Sequence, residues 1–335
     1  MIRNALWLNL AHGATKAAPW IGAALSVFAA HAAFAQNYPA KPLRMIVPFP
    51  AGGTADIIAR LVGQKFSERI GQPLIAENRV GAGGTIGSDL VAKAAPDGHM
   101  FLMTTTGTHL LTSLVTKNVP YDSLKDFTAI TGATESYSGL AVAPQLGINT
   151  VKELLDLARK DPGKHTYSSA GIGTAFHLTG ALFAAAGKVE LTHVPYKGAG
   201  QALNDLISGT ITMTFSAITS QLPFLHSGKL KLIAVMGSKR FGSFPDIPTV
   251  SEALPNFESL EAMTGFLGPA GLPAPLLSRL NAELAAAVLS PDVRAKLEAD
   301  GNTPVGNTPE QFAAHLQRSL QSYVRAVKIA GLKPE

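Results

Sequence analysis

Twice in this chain an apolar run gives way to a glycine-rich turn and then to a helix-like segment, and no other feature narrows the fold as much. The first copy is Leu43–Val47, then Pro48-Phe-Pro-Ala-Gly-Gly-Thr-Ala-Asp56, then Ile57-Ile-Ala-Arg-Leu-Val62. The second is Thr166-Tyr-Ser-Ser-Ala170, then Gly171-Ile-Gly-Thr174, then a helix around His177–Ala186. A strand that passes through a tight turn into a helix is half of a crossover unit. Sheets built from such units gather their ligands beyond the carboxyl ends of the strands.

The residues between the two copies keep the same alternation. Strands are expected at Pro73–Glu77 and Met100–Thr105, with helices at Asp56–Ile70 and Ile86–Ala95. A helix at Val151–Lys160, closed by Asp161-Pro-Gly163, precedes the second copy. Strands at Leu191–Val194, Ile211–Phe215 and Leu230–Val235 and helices at Ala199–Ile207 and Ser220–His226 follow it. Met213 and Phe215 have the two-residue spacing of a half-buried strand. The tail reads as helices at Pro275–Leu289 and Asp292–Ala299, then a last helix ending near Ala330 before Gly331. Thr308-Pro-Glu-Gln311 opens that helix, with Thr as cap, Pro at the first position and Gln completing a capping box. The class is therefore α/β. At 335 residues and 46% hydrophobic content, the chain is long enough for two domains. The segments Thr134–Val142 and Phe257–Gly265 are the expected crossings between them.

The first 35 residues read differently. Arg3 and Lys16 precede an apolar stretch, Ala17–Ala30, and Ala33-Phe-Ala35 follows it. This is the order of a secretory signal peptide cleaved after Ala35. Its apolar core is shorter than the roughly 20 residues a membrane span needs. Cleavage would remove two of the five net positive charges. The remaining Lys and Arg are scattered, which argues against nucleic-acid binding. The absence of cysteine excludes a disulfide scaffold, a thiolate metal site and a lipid-modified N-terminal cysteine.

The glycine turns could hold a nucleotide phosphate, the substrate of an enzyme or a small anion, and the residues around them favour a small organic anion. The first backbone N–H groups of a helix lack intrahelical partners and sit at the positive end of its dipole. The phosphate-binding pattern G-x-x-x-x-G-K-[ST] is missing, and Gly81-Ala-Gly-Gly-Thr-Ile-Gly87 departs from the dinucleotide spacing. That second stretch reads better as a turn opening a helix packed closely on the sheet. A nucleophile elbow G-x-S-x-G is absent, which leaves Ser169 with His177 as the nearest approach to a hydrolase pair. The histidines after residue 35 are dispersed and include no H-E-x-x-H. No metal and no cofactor is expected. Two amide-rich helix starts facing one cleft would suit a carboxylate.

The chain resembles the Bug receptors, the TctC-like solute-binding proteins of tripartite tricarboxylate transporters. The resemblance runs from about Tyr38 to Gly331. It rests on Ile46-Val-Pro-Phe-Pro-Ala-Gly-Gly-Thr-Ala-Asp56, Glu77-Asn-Arg79 with Gly81-Ala-Gly-Gly84, Ala92-Lys-Ala-Ala-Pro-Asp-Gly98, Ser169-Ala-Gly-Ile-Gly-Thr174, His193-Val-Pro-Tyr-Lys-Gly198 and Pro269-Ala-Gly271, in that order. It implies a periplasmic binding protein of two α/β lobes closing like a Venus flytrap on an organic acid. Lobe 1 would comprise residues 36–138 and 262–335, and lobe 2 residues 139–261. By position it implies Pro50, Ala51, Gly52, Thr54 and Asp56 in the first lobe's grip on a carboxylate, and Ser169, Ala170, Gly171, Gly173 and Thr174 in the second's. Thr104, Thr105, Thr106, His177, Tyr196 and Ser216 are implied as cleft wall. For Asp56 a helix-start role, or the orienting of a bridging water, is easier to defend than direct contact with an anion. Ser216-Ala217 stands where many relatives carry an acid, which argues against an amino-acid ligand. The expected partners are a small organic acid and the inner-membrane components of a tripartite transporter, with the receptor a monomer. An exported hydrolase using Ser169 and His177, or a ligand sensor without a transport role, are the alternatives.

Overall fold

The computed structural model describes residues 38–334 apart from Lys197, Ser238 and Glu261. The expected signal peptide lies outside the described residues. From Pro42 onward the chain forms one compact unit built on two sheets.

The first sheet has six strands in the order β11-β4-β10-β3-β1-β2. These are β1 (Leu43–Val47), β2 (Leu74–Asn78), β3 (Met100–Thr105), β4 (Phe127–Ser136), β10 (Ala262–Pro269) and β11 (Asn302–Pro304). β1 pairs in parallel with β2 and β3, whereas β10 runs antiparallel to β3 and β4. Burial on both faces explains the apolar run Met45–Val47 of β1, while Arg44 stays half-exposed and pairs with Glu77 on β2. The adjacent residues Met45 and Ile46 point to opposite faces, and each meets a helix glycine. A Cβ on Gly63 of the Thr54–Ile70 helix would come 3.1 Å from the Met45 side chain, and one on Gly87 of the Thr85–Ala92 helix 3.2 Å from Ile46. The Gly81–Gly87 stretch does open a closely packed helix. Phe66, Phe101 and Phe266 form an edge-to-face run through this half of the core.

The second sheet has five strands in the order β7-β6-β8-β5-β9. They are β5 (Ser138–Val142), β6 (Thr166–Ser169), β7 (Thr192–Pro195), β8 (Met213–Ala217) and β9 (Lys231–Met236). β6 is parallel to β7 and β8, and β5 is antiparallel to β8 and β9. The spacing of Met213 and Phe215 predicts one exposed face for β8, but Met213, Thr214, Phe215 and Ser216 are all buried, because helices cover both sides.

The tail follows the sequence reading. Its helices run Ala274–Val288, Pro291–Ala299 and Pro309–Ile329, and the last carries the full Thr308/Gln311 capping box. The structure adds elements that the sequence reading lacks: β4, β5, β10, β11 and the helix Thr106–Val115. Among the described residues no helix is long and apolar enough to cross a membrane.

Candidate functional site

Strand direction decides where the glycine turns lie. In the first sheet the carboxyl ends of β1 and β3 are neighbours, and the register Thr105↔Thr264 with Thr264↔Thr134 places the end of β4 and the start of β10 at that same edge. In the second sheet β6, β7 and β8 end together, and Ser138↔Ala217 puts the start of β5 beside the end of β8. Only Tyr137 separates β4 from β5. The chain thus leaves one sheet and enters the other at the two edges that carry the glycine turns. Tyr137 is held by stacking on Phe241, with centroids 4.6 Å apart, and by its carbonyl accepting from the Ile218 N–H at 3.0 Å.

The first turn is braced from behind by Asp56. Its buried carboxylate accepts from the Gly52 N–H (2.9 Å), the Asn78 side-chain amide (2.8 Å) and Arg60 Nε (3.0 Å). Burial raises its pKa, but the bonds from Arg60, Gly52 and Asn78 prevail and hold it at about 2. The Asn78 amide also donates to the Phe49 carbonyl, and Arg60 to Asn78. Gly52 takes φ +79°, a conformation open to glycine. Gly53 N–H donates to the Pro50 carbonyl. The glycine N–H groups are therefore committed to the turn itself. The first helical turn, Thr54 to Asp56, supplies the amides without intrahelical partners.

The second turn is built the same way with histidines. Ser169 Oγ accepts from the Gly171 N–H (3.1 Å), donates to the Gly171 carbonyl (2.9 Å) and lies 2.6 Å from His193 Nε2. Thr174 Oγ1 donates to the same carbonyl at 2.7 Å and caps the Ala175–Gly187 helix. Gly173 N–H donates to His177 Nδ1 at 3.1 Å, so that nitrogen is unprotonated. The rings of His177 and His193 stack at 4.0 Å. Burial, and for His193 also its neighbour His177, lowers both pKa values, His193 to about 4. The serine expected to face His177 is instead bonded to His193. Register explains this, since β6 and β7 are paired neighbours.

The other expected residues are distributed along these edges. Thr105 Oγ1 accepts from the Thr108 N–H and caps the Thr106–Val115 helix, while Thr106 Oγ1 accepts from the Met263 N–H at 3.3 Å. Thr104 is buried. Ser216 Oγ accepts from the buried Gln221 amide at 2.9 Å. The Tyr196 hydroxyl donates to Asp205 at 2.7 Å within the second sheet's own layer. Pro50 and Ala51 are exposed on the first turn, as Ala170 is on the second. Of the expected residues, Thr54 also lines a 390 Å³ pocket between the Thr54–Ile70 helix and the Ile218–His226 helix. Beside that pocket Gly301 meets Thr219, whose Cγ2 would lie 2.9 Å from an added Cβ. Arg60, Asn78, His193 and Leu222 were missed by the sequence reading. Asn78 and His193 stand in stretches that carry the family resemblance, and each signals its role only through a partner 22 or 24 residues away.

Known proteins match this arrangement over nearly its whole length. A family model described as the tripartite tricarboxylate transporter family receptor matches residues 58–332. A solved structure described as a periplasmic transporter is 36% identical, covering 88% of this chain and 99% of its own at a TM-score of 0.73. The Rhodopseudomonas palustris protein Rpa4515, solved with adipate, is 32% identical over 89% of this chain and 100% of its own, with a TM-score of 0.74. MatC from the same organism, solved with bound malate, is 32% identical over 87% and 100%, with a TM-score of 0.70.

Proposed function

The chain belongs to the tripartite tricarboxylate transporter receptor family, and from that premise we propose that it captures a small organic carboxylate in the periplasm and hands it to the inner-membrane components of a tripartite transporter. It is a periplasmic two-lobed binding protein, working by capture and release and not by turnover. The first sheet with residues 42–136 and 262–334 makes one lobe, and the second sheet with residues 138–260 the other, one residue from the boundary expected at 138. The receptor acts as a monomer.

One observation carries the reading: the two turn-bearing sheet edges are joined through the single residue Tyr137, so both helix starts open toward one cleft. Amides of the first turns at Thr54 and Ala175 are the donors for a carboxylate, with Pro50, Ala51, Gly52 and Ser169 to Thr174 shaping their approach. Asp56, His177 and His193 act from behind by fixing the turns. Thr104, Thr105, Thr106, Tyr196 and Ser216 complete the wall. Two relatives were solved with dicarboxylates, adipate and malate, which places the ligand class among organic acids. The Ser169–His193 contact does not favour a hydrolase, because the same hydroxyl is tied to both backbone groups of Gly171.

The test is a thermal-shift screen on the mature protein, unfolded and refolded to strip carried-over ligand, against mono-, di- and tricarboxylates and aromatic acids. A ligand at 100 times its Kd adds about 2.7 kcal/mol. Gly52→Val and Gly171→Val, at φ +79° and +132°, should each abolish the shift in protein that remains folded by circular dichroism. Absence of saturable binding by any carboxylate would refute the reading.

A further inference from the structure

The 390 Å³ pocket beside the first turn has a chemistry that separates classes of acid. Ile57 and Ile58 form one side and Leu222 and Pro223 the other, so an apolar stretch of wall is drawn from both lobes, with the uncharged polar side chains of Thr219 and Asn302 beside it. Thr54 connects it to the helix start whose amides face the cleft. Among the described residues lining it there is no Lys or Arg, and the one charged residue is Asp300. Ile57 is 51% exposed, and Ile172 at the tip of the other turn is 71% exposed. Apolar side chains left to water on both sides of a binding cleft are what an apolar ligand would cover.

We propose that this pocket seats the end of the ligand remote from the gripped carboxylate, and that it selects monocarboxylates with an apolar body, aromatic or medium-chain aliphatic, over di- and tricarboxylates. The proposal rests on the receptor reading and departs from the dicarboxylates found in the two relatives. A second carboxylate entering here would lose hydration against Ile57, Leu222 and Pro223, meet no cation and approach Asp300. A hydrocarbon body loses nothing by the same transfer. The volume is ample, since a cavity of about 150 Å³ holds a benzene ring.

Hexanoate and adipate isolate the point, having six carbons each and differing by one carboxylate. Titration calorimetry on the refolded mature protein should give hexanoate and benzoate a Kd lower than those of adipate and citrate by about tenfold or more. Ile57→Arg, at a half-exposed position, should move the hexanoate-to-adipate preference toward adipate by about tenfold. Leu222→Ser should weaken benzoate and leave acetate unchanged. Adipate or citrate binding more tightly than hexanoate, or a preference unmoved by Ile57→Arg, overturns this inference and leaves the receptor reading standing. Folded protein that binds none of these acids removes the receptor reading, and the selectivity falls with it.

Discussion

Asp56→Asn separates the bracing of the first turn from everything else the turn does. The substitution keeps size and one acceptor oxygen but removes the charge that Gly52, Asn78 and Arg60 all address. The carboxyl is held at about 2 against an ordinary 3.8, and a shift of that size is worth about 2 kcal/mol of folding stability at neutral pH. Because the folded pKa is the lower one, this stability is present above pH 4 and is lost as pH falls toward 2. About half remains at pH 3. Equilibrium urea unfolding of wild type and Asp56→Asn at pH 7, 5, 4 and 3 reads the difference directly. The expected gap is about 2 kcal/mol at pH 7 and 5, narrowing by about 1 kcal/mol at pH 3. A gap that stays constant down to pH 3 would show that the carboxylate is not stabilised by its partners, and the account of the turn would be wrong.

Three further outcomes follow from the second lobe. Gly180→Ala should destabilise by about 1–3 kcal/mol, since the new Cβ would fall 2.0 Å from the Tyr167 ring. Gly200→Ala, in a helix with open space around it, should stabilise by about 0.5–1 kcal/mol, and paired denaturation curves check both signs. Burial and the adjacent His177 hold His193 at about 4, so the unfolded imidazole takes up its proton first as pH falls below 6.5. Stability is then full above that pH and declines toward pH 4. His193→Gln should flatten the decline in urea midpoints between pH 7.5 and 5, and an unchanged slope would contradict the assignment.

Local chemistry was readable wherever an element follows its own rules. The glycine turns, the Thr308 capping box and the tail helices all obey short-range patterns, and the structure places them within a few residues of the reading. β4 and β10 were hidden because they are buried across most of their length, carry Thr and Gly at several positions and show no alternation. Their pairing partner is more than a hundred residues away. The helix Thr106–Val115 opens with Thr-Gly-Thr-His, residues of modest helix propensity, and owes its start to the Thr105 cap. At the site, the turns and their threonines were visible, while the braces were not. Asp56 needs Asn78, and Ser169 needs His193, across folded distance that no spacing rule encodes. The pocket wall of Leu222 and Pro223 belongs to neither turn and has no signature at all.

A joint of one residue has mechanical consequences. An extended residue spans about 3.5 Å, so at this crossing the end of β4 and the start of β5 cannot draw apart, and a change in the angle between the sheets would turn about this point. The Tyr137 ring, clamped on Phe241, and the Tyr137 carbonyl, tied to the Ile218 amide, make that point stiff on the second lobe's side. The returning segment ahead of β10 is fastened as well, through Glu258 to Arg325 and Ser322 on the last helix. Displacement in a rotating body grows with distance from the axis. The glycine turns sit at the ends of β1 and β6, three strands from β4 and two from β5, about 10–15 Å from the joint at ~4.8 Å per strand, so a rotation at Tyr137 would change the distance between the two turns.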